Sequence, residues 1–223
     1  MKQISLVIAA ICLLHITASA QIPSRDTTHP STMLYDQFKD GYVLLKSGDI
    51  QRGQLNYDAF DHQVTFLQGQ QPMTLTNLVD IDSIYFGGRK YIPVKKQVYE
   101  VVEKGDPVTM LIIYDAKIKP FTATAEHSGG SDRKESGEVM NAITSTNLSR
   151  SRYENGYRVE IQRSFFLQRF NDVYKANNEK NVIKAFPDYM QGALKQYFQD
   201  NKVDLKDSDQ LQALVKFANS QKK

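Results

Sequence analysis

The groups in this 223-residue chain that could do chemistry are its acids and histidines, and their spacing sets the first limits. Asp80 and Asp82 flank Ile81, and Asp58 and Asp61 lie around Phe60. If residues 80–82 are extended, alternation puts Asp80 and Asp82 on one side of a strand and Ile81 on the other. Two carboxyls facing a bound sugar at roughly 5 to 9 Å are what a glycosidase requires, with aromatic platforms beside them. Tyrosine is plentiful but tryptophan is absent, which weakens a carbohydrate-cleaving reading. A carboxylate-dependent hydrolase, with Asp80 and Asp82 as its acids, is therefore the alternative, and solvated turn acids are the main expectation.

The histidines give less. His29 lies in a proline-rich stretch, His62 in a turn beside Asp61, and His127 at the start of a polar segment. None sits at i, i+4 on a helix or at zinc-ligand spacing from a carboxylate, so no metal site is expected. No serine occupies a G-x-S-x-G elbow. The glycine-rich "SGGSDRKESG" lacks the lysine placement and strand-to-helix context of a phosphate loop. No catalytic, cofactor-binding or metal residue is assigned, and no cofactor is expected. Asn147-Leu148-Ser149 matches a glycosylation sequon, which matters only on a eukaryotic secretory route.

The segments that must position such groups begin after an export signal. Lys2, the apolar run "ISLVIAAICLL" (4–14) and the small residues Ala18-Ser19-Ala20 read as a signal peptide over residues 1–20. The run is too short to span a bilayer, and no later stretch is long enough. Ile11 before Cys12 does not fit a lipoprotein box. Cleavage after Ala20 removes Cys12, the only cysteine, so the mature chain can form no disulfide and must rest on a hydrophobic core. The 28 basic and 25 acidic residues are too nearly balanced for a nucleic-acid binder.

Residues 21–40 read as an extended leader. Residues 41–178 read as a β-rich domain, because Val, Ile, Thr, Tyr and Phe dominate and alternate with polar neighbours. Strands are predicted at 42–46, 54–60, 63–68 and 73–86, over 91–126, and again over 155–178. Gly48 and Gly53 are expected where φ is positive or a strand bends. "MLIIY" (110–114) is apolar on both faces, which predicts a central, covered strand. Consecutive bent strands of this kind occur in small SH3-like and Sm-like barrels, so a barrel-like shape is one expected outcome. Residues 127–156 are rich in Ser, Gly, Asn and charge and read as a mobile loop.

From 179 to 223 the period changes to that of helices. "NVIKAF" (181–186) is stopped by Pro187, and helical faces follow over 188–200 and 208–219. Asp207 with Gln210 reads as a capping pair. The predicted fold class is α+β: a largely antiparallel, barrel-like β domain followed by a small helical region.

This combination resembles uncharacterised exported proteins of the Bacteroidota. The likeness rests on "GYVLLKSGDIQRGQLNYD", on "VDIDSIYFGGRKYIPVKKQVYEVVEKG" and on the ending "VIKAFPDYMQGALKQYFQDNKVDLKDSDQLQALVKFAN". It implies a Gram-negative envelope setting, either periplasmic or associated with the outer membrane, or secretion. It carries over no site residues. The expected function is a non-enzymatic binding or structural module of the envelope, with another envelope protein as a candidate partner. In one version the C-terminal helices bind that partner through an exposed patch containing Tyr189, Leu194 and Tyr197.

Overall fold

The computed structural model describes residues 31–120, 150–154 and 156–221. Residues 1–20, read above as a signal peptide, residues 21–30 of the expected leader, Cys12, His29, His127 and most of the 127–156 segment lie outside the described residues. Eleven strands form one antiparallel sheet. They are β1 (Lys39–Leu45), β2 (Ile50–Asp58), β3 (Gln63–Gln68), β4 (Gln71–Thr74), β5 (Ile81–Phe86), β6 (Arg89–Val94), β7 (Gln97–Glu103), β8 (Thr109–Pro120), β9 (Arg150–Glu154), β10 (Tyr157–Arg169) and β11 (Asp172–Lys175). Three helices follow: α1 (Glu179–Ala185), α2 (Asp188–Asn201) and α3 (Ser208–Ser220). The fold is α+β with a β-rich body, as the residue pattern predicts.

Sheet order is β4-β3-β2-β1-β5-β6-β7-β8-β10-β11, with β9 pairing the first half of β10 beside β11. After β4 the chain returns to the free edge of β1. A 3-10 turn, Leu78–Asp80, makes that return, and Lys46 N–H donates to Asp80 O at 2.8 Å. The single strand predicted over 73–86 is therefore two strands on different parts of the sheet. Asp80 belongs to the turn and Asp82 to β5, so they do not share a strand face.

The barrel-like expectation is corrected, because β4 and β11 end the sheet order and do not pair. A turn takes the place of closure. Pairing of β7 with β8 extends only as far as Glu100 opposite Ile112. Where the two strands part, the β2–β3 turn wedges between them. His62 O accepts from Val98 N–H at 3.0 Å, and Ala59 O accepts from Ala116 N–H at 2.8 Å. Tyr57 reaches the same place through its hydroxyl, which donates to Val98 O at 3.0 Å. Backbone groups that a continuous ladder would pair are thus satisfied by a turn.

Two further expectations shift. The last part of the leader, from residue 31, is docked along β2. Leu34 N–H donates to Tyr57 O, and the Asn56 side chain pairs with both backbone groups of Tyr35. Residues 150–154, expected within the mobile loop, form β9.

The core lies between the sheet and the helices. One continuous cluster links Val43, Ile84, Tyr91, Met110, Ile112 and Leu167 from the strands with Phe186, Leu194, Leu211 and Leu214 from the helical end, which packs on β7, β8, β10 and β11. The fully buried aliphatic side chains contribute on the order of 2 kcal/mol each. β8 is covered on both faces as predicted, because Leu111 and Ile113 form a second cluster with Tyr99 on the far side. α1 is capped by Asn178, whose side chain accepts from Asn181 N–H, and it ends before Pro187. Asp207 caps α3 by accepting from Asp209 and Gln210 N–H, and Gln210 Nε2 donates back to its carboxylate. The helical patch expected for a partner is not contiguous. Leu194 is fully buried and Tyr197 stacks on Phe217, leaving Tyr189 exposed.

Candidate functional site

The wedge at the β2–β3 turn gathers the groups that most resemble catalytic machinery. His62 Nε2 lies 2.9 Å from Asp115 Oδ1, and Ser164 Oγ donates to Asp115 Oδ2 at 2.6 Å. On the other side Gln97 Nε2 lies 2.9 Å from His62 Nδ1, and the Tyr99 hydroxyl donates to Gln97 Oε1 at 3.1 Å. Tyr99 fixes the Gln97 amide so that it donates to Nδ1, which leaves the Nε2 proton for Asp115. The set is serine, aspartate and histidine, but the order is wrong for nucleophilic catalysis. A hydrolytic triad has histidine between serine and acid, so that the imidazole takes the serine proton. Here Asp115 sits in the middle, and the Ser164 hydroxyl donates to Asp115 rather than to His62. The chain of bonds runs from β10 to β8, through the turn, to β7, and so works as a clasp on the wedge. His62, expected as a solvent-exposed turn residue, is a member of this clasp.

The other acids considered stand apart from it. Asp58 accepts from the Thr32 hydroxyl and from Phe60 N–H, which is turn stabilisation. Asp80 accepts from Asn77 Nδ2 and Asp82 from Ser83 Oγ, and both acids are exposed. Asp61 is exposed as well. Among the described residues no three His, Cys, Asp or Glu side chains gather at metal-binding distance.

A second feature lies on the sheet face opposite the Val43–Ile84 core. Register aligns four strands there in two rows, and β1 with β2 in a third. In the first row Arg52 of β2 is opposite Tyr42 of β1, Tyr42 is opposite Tyr85 of β5, and Tyr85 is opposite Lys90 of β6. The tyrosine rings stack at 4.7 Å with an 18° interplanar angle. Arg52 Cζ lies 5.9 Å from the Tyr42 centroid and Lys90 Nζ 5.5 Å from the Tyr85 centroid. The row is a cation–ring–ring–cation stack. Beside the Ser83 hydroxyl, and helped by the Lys90 ammonium, the Tyr85 phenol is held below its ordinary pKa of 10.0.

The second row is Gly53, Gly41, Phe86 and Arg89, again directly opposite one another. Strand alternation sends the side chains of this row to the core side. Arg89 accordingly donates to Glu100 and to the Tyr114 hydroxyl. Gly41 is required there, because a Cβ would fall 2.2 Å from Tyr85 O and 2.7 Å from Phe86 Cβ. The row therefore offers only backbone to the outer face. The third row is Gln54 and Asp40, continued by the Gly87-Gly88 turn whose φ values of 58° and 73° suit a two-residue hairpin. The result is an open groove of about 870 Å³ with a backbone floor, the four-member stack as one wall and Asp40, Gln54 and the glycine turn as the other. Among the described residues neither Arg52 nor Lys90 forms an ion pair.

None of these groove residues emerged as a site from the sequence. Gly53 was expected at a bend or a positive φ; it is an ordinary strand residue on the floor, whereas Gly48, with φ 93°, is the turn glycine. The readable signal was the hairpin symmetry, since Tyr42 and Arg52 are equidistant from Ser47, and Tyr85 and Lys90 from the Gly87-Gly88 pair.

No helix among the described residues is long and apolar enough to cross a membrane. No family model, curated protein or solved structure matches the chain.

Proposed function

We propose that this protein is an exported, non-enzymatic binding module of a Gram-negative cell envelope, and that its ligand-binding face is the groove beside Tyr42 and Tyr85. Export is supported by the apolar run at 4–14 and the Ala18-Ser19-Ala20 sequence after it. Binding through the groove is supported above all by one observation: two cations that form no ion pair among the described residues, and the two stacked tyrosines they cover, wall a backbone-floored cleft on an outer sheet face. Its volume falls within the usual 300–1,000 Å³ of ligand sites.

The test uses mature chain and a triple variant, Arg52→Ser, Tyr85→Ser and Lys90→Ser. Both are measured for equilibrium binding to separated peptide, lipid and glycan fractions of envelope material. The wild-type chain should retain one fraction that the variant does not, with matching circular dichroism for the two proteins. Equal retention of every fraction by both proteins would remove the groove from the account. Turnover of a hydrolase or transferase substrate abolished by Ser164→Ala or His62→Ala would instead restore an enzymatic reading.

A further inference from the structure

Building on the groove as the binding face, we infer that its ligand is a sparsely charged acidic polysaccharide lying across strands β2, β1, β5 and β6. Four features of the walls narrow the chemistry to that class.

The first is the separation of the cations. Arg52 and Lys90 end a row of four strands. At about 4.8 Å per strand that places them roughly 14 Å apart, so one small anion cannot reach both. The occupant must be extended and must run perpendicular to the strands.

The second is that the tyrosine faces are taken. Tyr42 and Tyr85 cover one another, and a cation covers the outer face of each. Bases of a single-stranded nucleic acid bind by stacking on open aromatic faces. A neutral sugar that relies on aromatic platforms needs the same open faces. Only ring edges and hydroxyls remain for the ligand, which suits hydrogen bonding and not stacking.

The third is Asp40 on the opposite wall, beside Gln54. A chain charged at every unit would set an anion against this carboxylate, at a cost like that of other close like-charge contacts. A chain with neutral, hydroxyl-bearing units between its charges turns Asp40 into a hydrogen-bond acceptor. The fourth is the backbone floor at Gly53 and Gly41, which lets a broad chain lie close to the sheet. Carboxylates at two separated units, hydroxyls between them and an extended shape together describe an acidic polysaccharide.

The experiment measures binding of the mature chain to three probes by fluorescence anisotropy at low and physiological salt. They are an alternating glucuronate–N-acetylglucosamine oligosaccharide, neutral dextran and a single-stranded oligodeoxythymidine of similar length. The alternating oligosaccharide should bind, should weaken as salt rises, and should exceed both other probes by tenfold or more. Arg52→Ser and Lys90→Ser should each weaken it about tenfold, and Arg52→Lys should restore part of the loss. In the Asp40→Asn variant the preference for the oligosaccharide over oligodeoxythymidine should narrow severalfold. Thermal unfolding of each variant keeps loss of binding separate from loss of fold.

Equal or tighter binding of dextran or oligodeoxythymidine would overturn the polysaccharide assignment. If such a probe loses affinity in the Arg52→Ser variant, the groove stands and only its ligand class falls. If the oligosaccharide binds the variants as well as the wild type, this assignment is overturned. If the envelope fractions also fail to distinguish the triple variant, the groove falls with it.

Discussion

Asn219, in the last turn of α3, pairs with both backbone groups of Val108 at the entry to β8: its Oδ1 accepts from Val108 N–H at 3.2 Å and its Nδ2 donates to Val108 O at 2.8 Å. A side-chain amide thereby replaces a strand partner and fixes the helix to the sheet. Val108 is fully buried. The Asn219→Ala variant should therefore leave a buried N–H and C=O unpaired, at a cost of about 2 kcal/mol, read from urea unfolding. Gly105 lies against the same amide, and a Cβ there would fall 1.8 Å from Asn219 Nδ2. Gly105→Ala should cost less in the Asn219→Ala background than in the wild type. Full additivity of the two changes would show that the contact is not shared.

The clasp at the wedge makes a different prediction. His62→Ala removes the bonds to Asp115 and Gln97 and should destabilise the chain by about 1–2 kcal/mol. Amide hydrogen exchange should rise at Val98 and Ala116, whose N–H groups bond to the wedged turn. Ligand affinity at the groove should not change. Faster exchange spread evenly over the sheet would mean that His62 does not hold this turn in particular.

How far these features could be read from the chain follows from the range of the interactions. A strand pair joined by a short turn was legible: β1 with β2 around Ser47-Gly48. So was α3, whose cap and apolar face are encoded within thirteen residues. Half of each groove wall was thus local information. What joins the halves is the pairing of β1 with β5, brought together by a return path through residues 75–80, where Asn77 and Asp80 sit inside an otherwise strand-like run. His62 and Asp115 meet for a similar reason, since 53 residues separate them. The barrel analogy failed because β4 and β11, the two ends of the sheet order, do not pair.

Alkaline pH should unfold the protein through its buried tyrosines. Burial pushes the phenols of Tyr57, Tyr91 and Tyr114 well above the ordinary value of 10.0. Below that value folded and unfolded chains both keep these protons, so stability is unaffected. Above it the unfolded chain releases protons that the folded chain retains, and stability falls as pH rises. The urea midpoint should hold between about pH 8 and pH 9 and drop by about pH 11. Tyr85, held low, should titrate before any of the buried three in a spectrophotometric titration, and Tyr85→Phe should remove that early step. A midpoint that does not move across this range would contradict the burial of the three rings.

Stacking between Tyr42 and Tyr85 should show as coupling. A double-mutant cycle to leucine should return an interaction of about 0.5–1.5 kcal/mol. A value near zero would mean that the rings are held apart in solution.

The most direct test of the groove is an amide chemical-shift map of labelled mature chain titrated with the envelope fraction it retains. The account predicts that the largest changes fall on Gly41, Gly53, Phe86 and Gly88 and vanish in the Arg52→Ser, Tyr85→Ser, Lys90→Ser variant. Changes centred instead on His62, Asp115 and Ser164, or on helices α2 and α3, would contradict it.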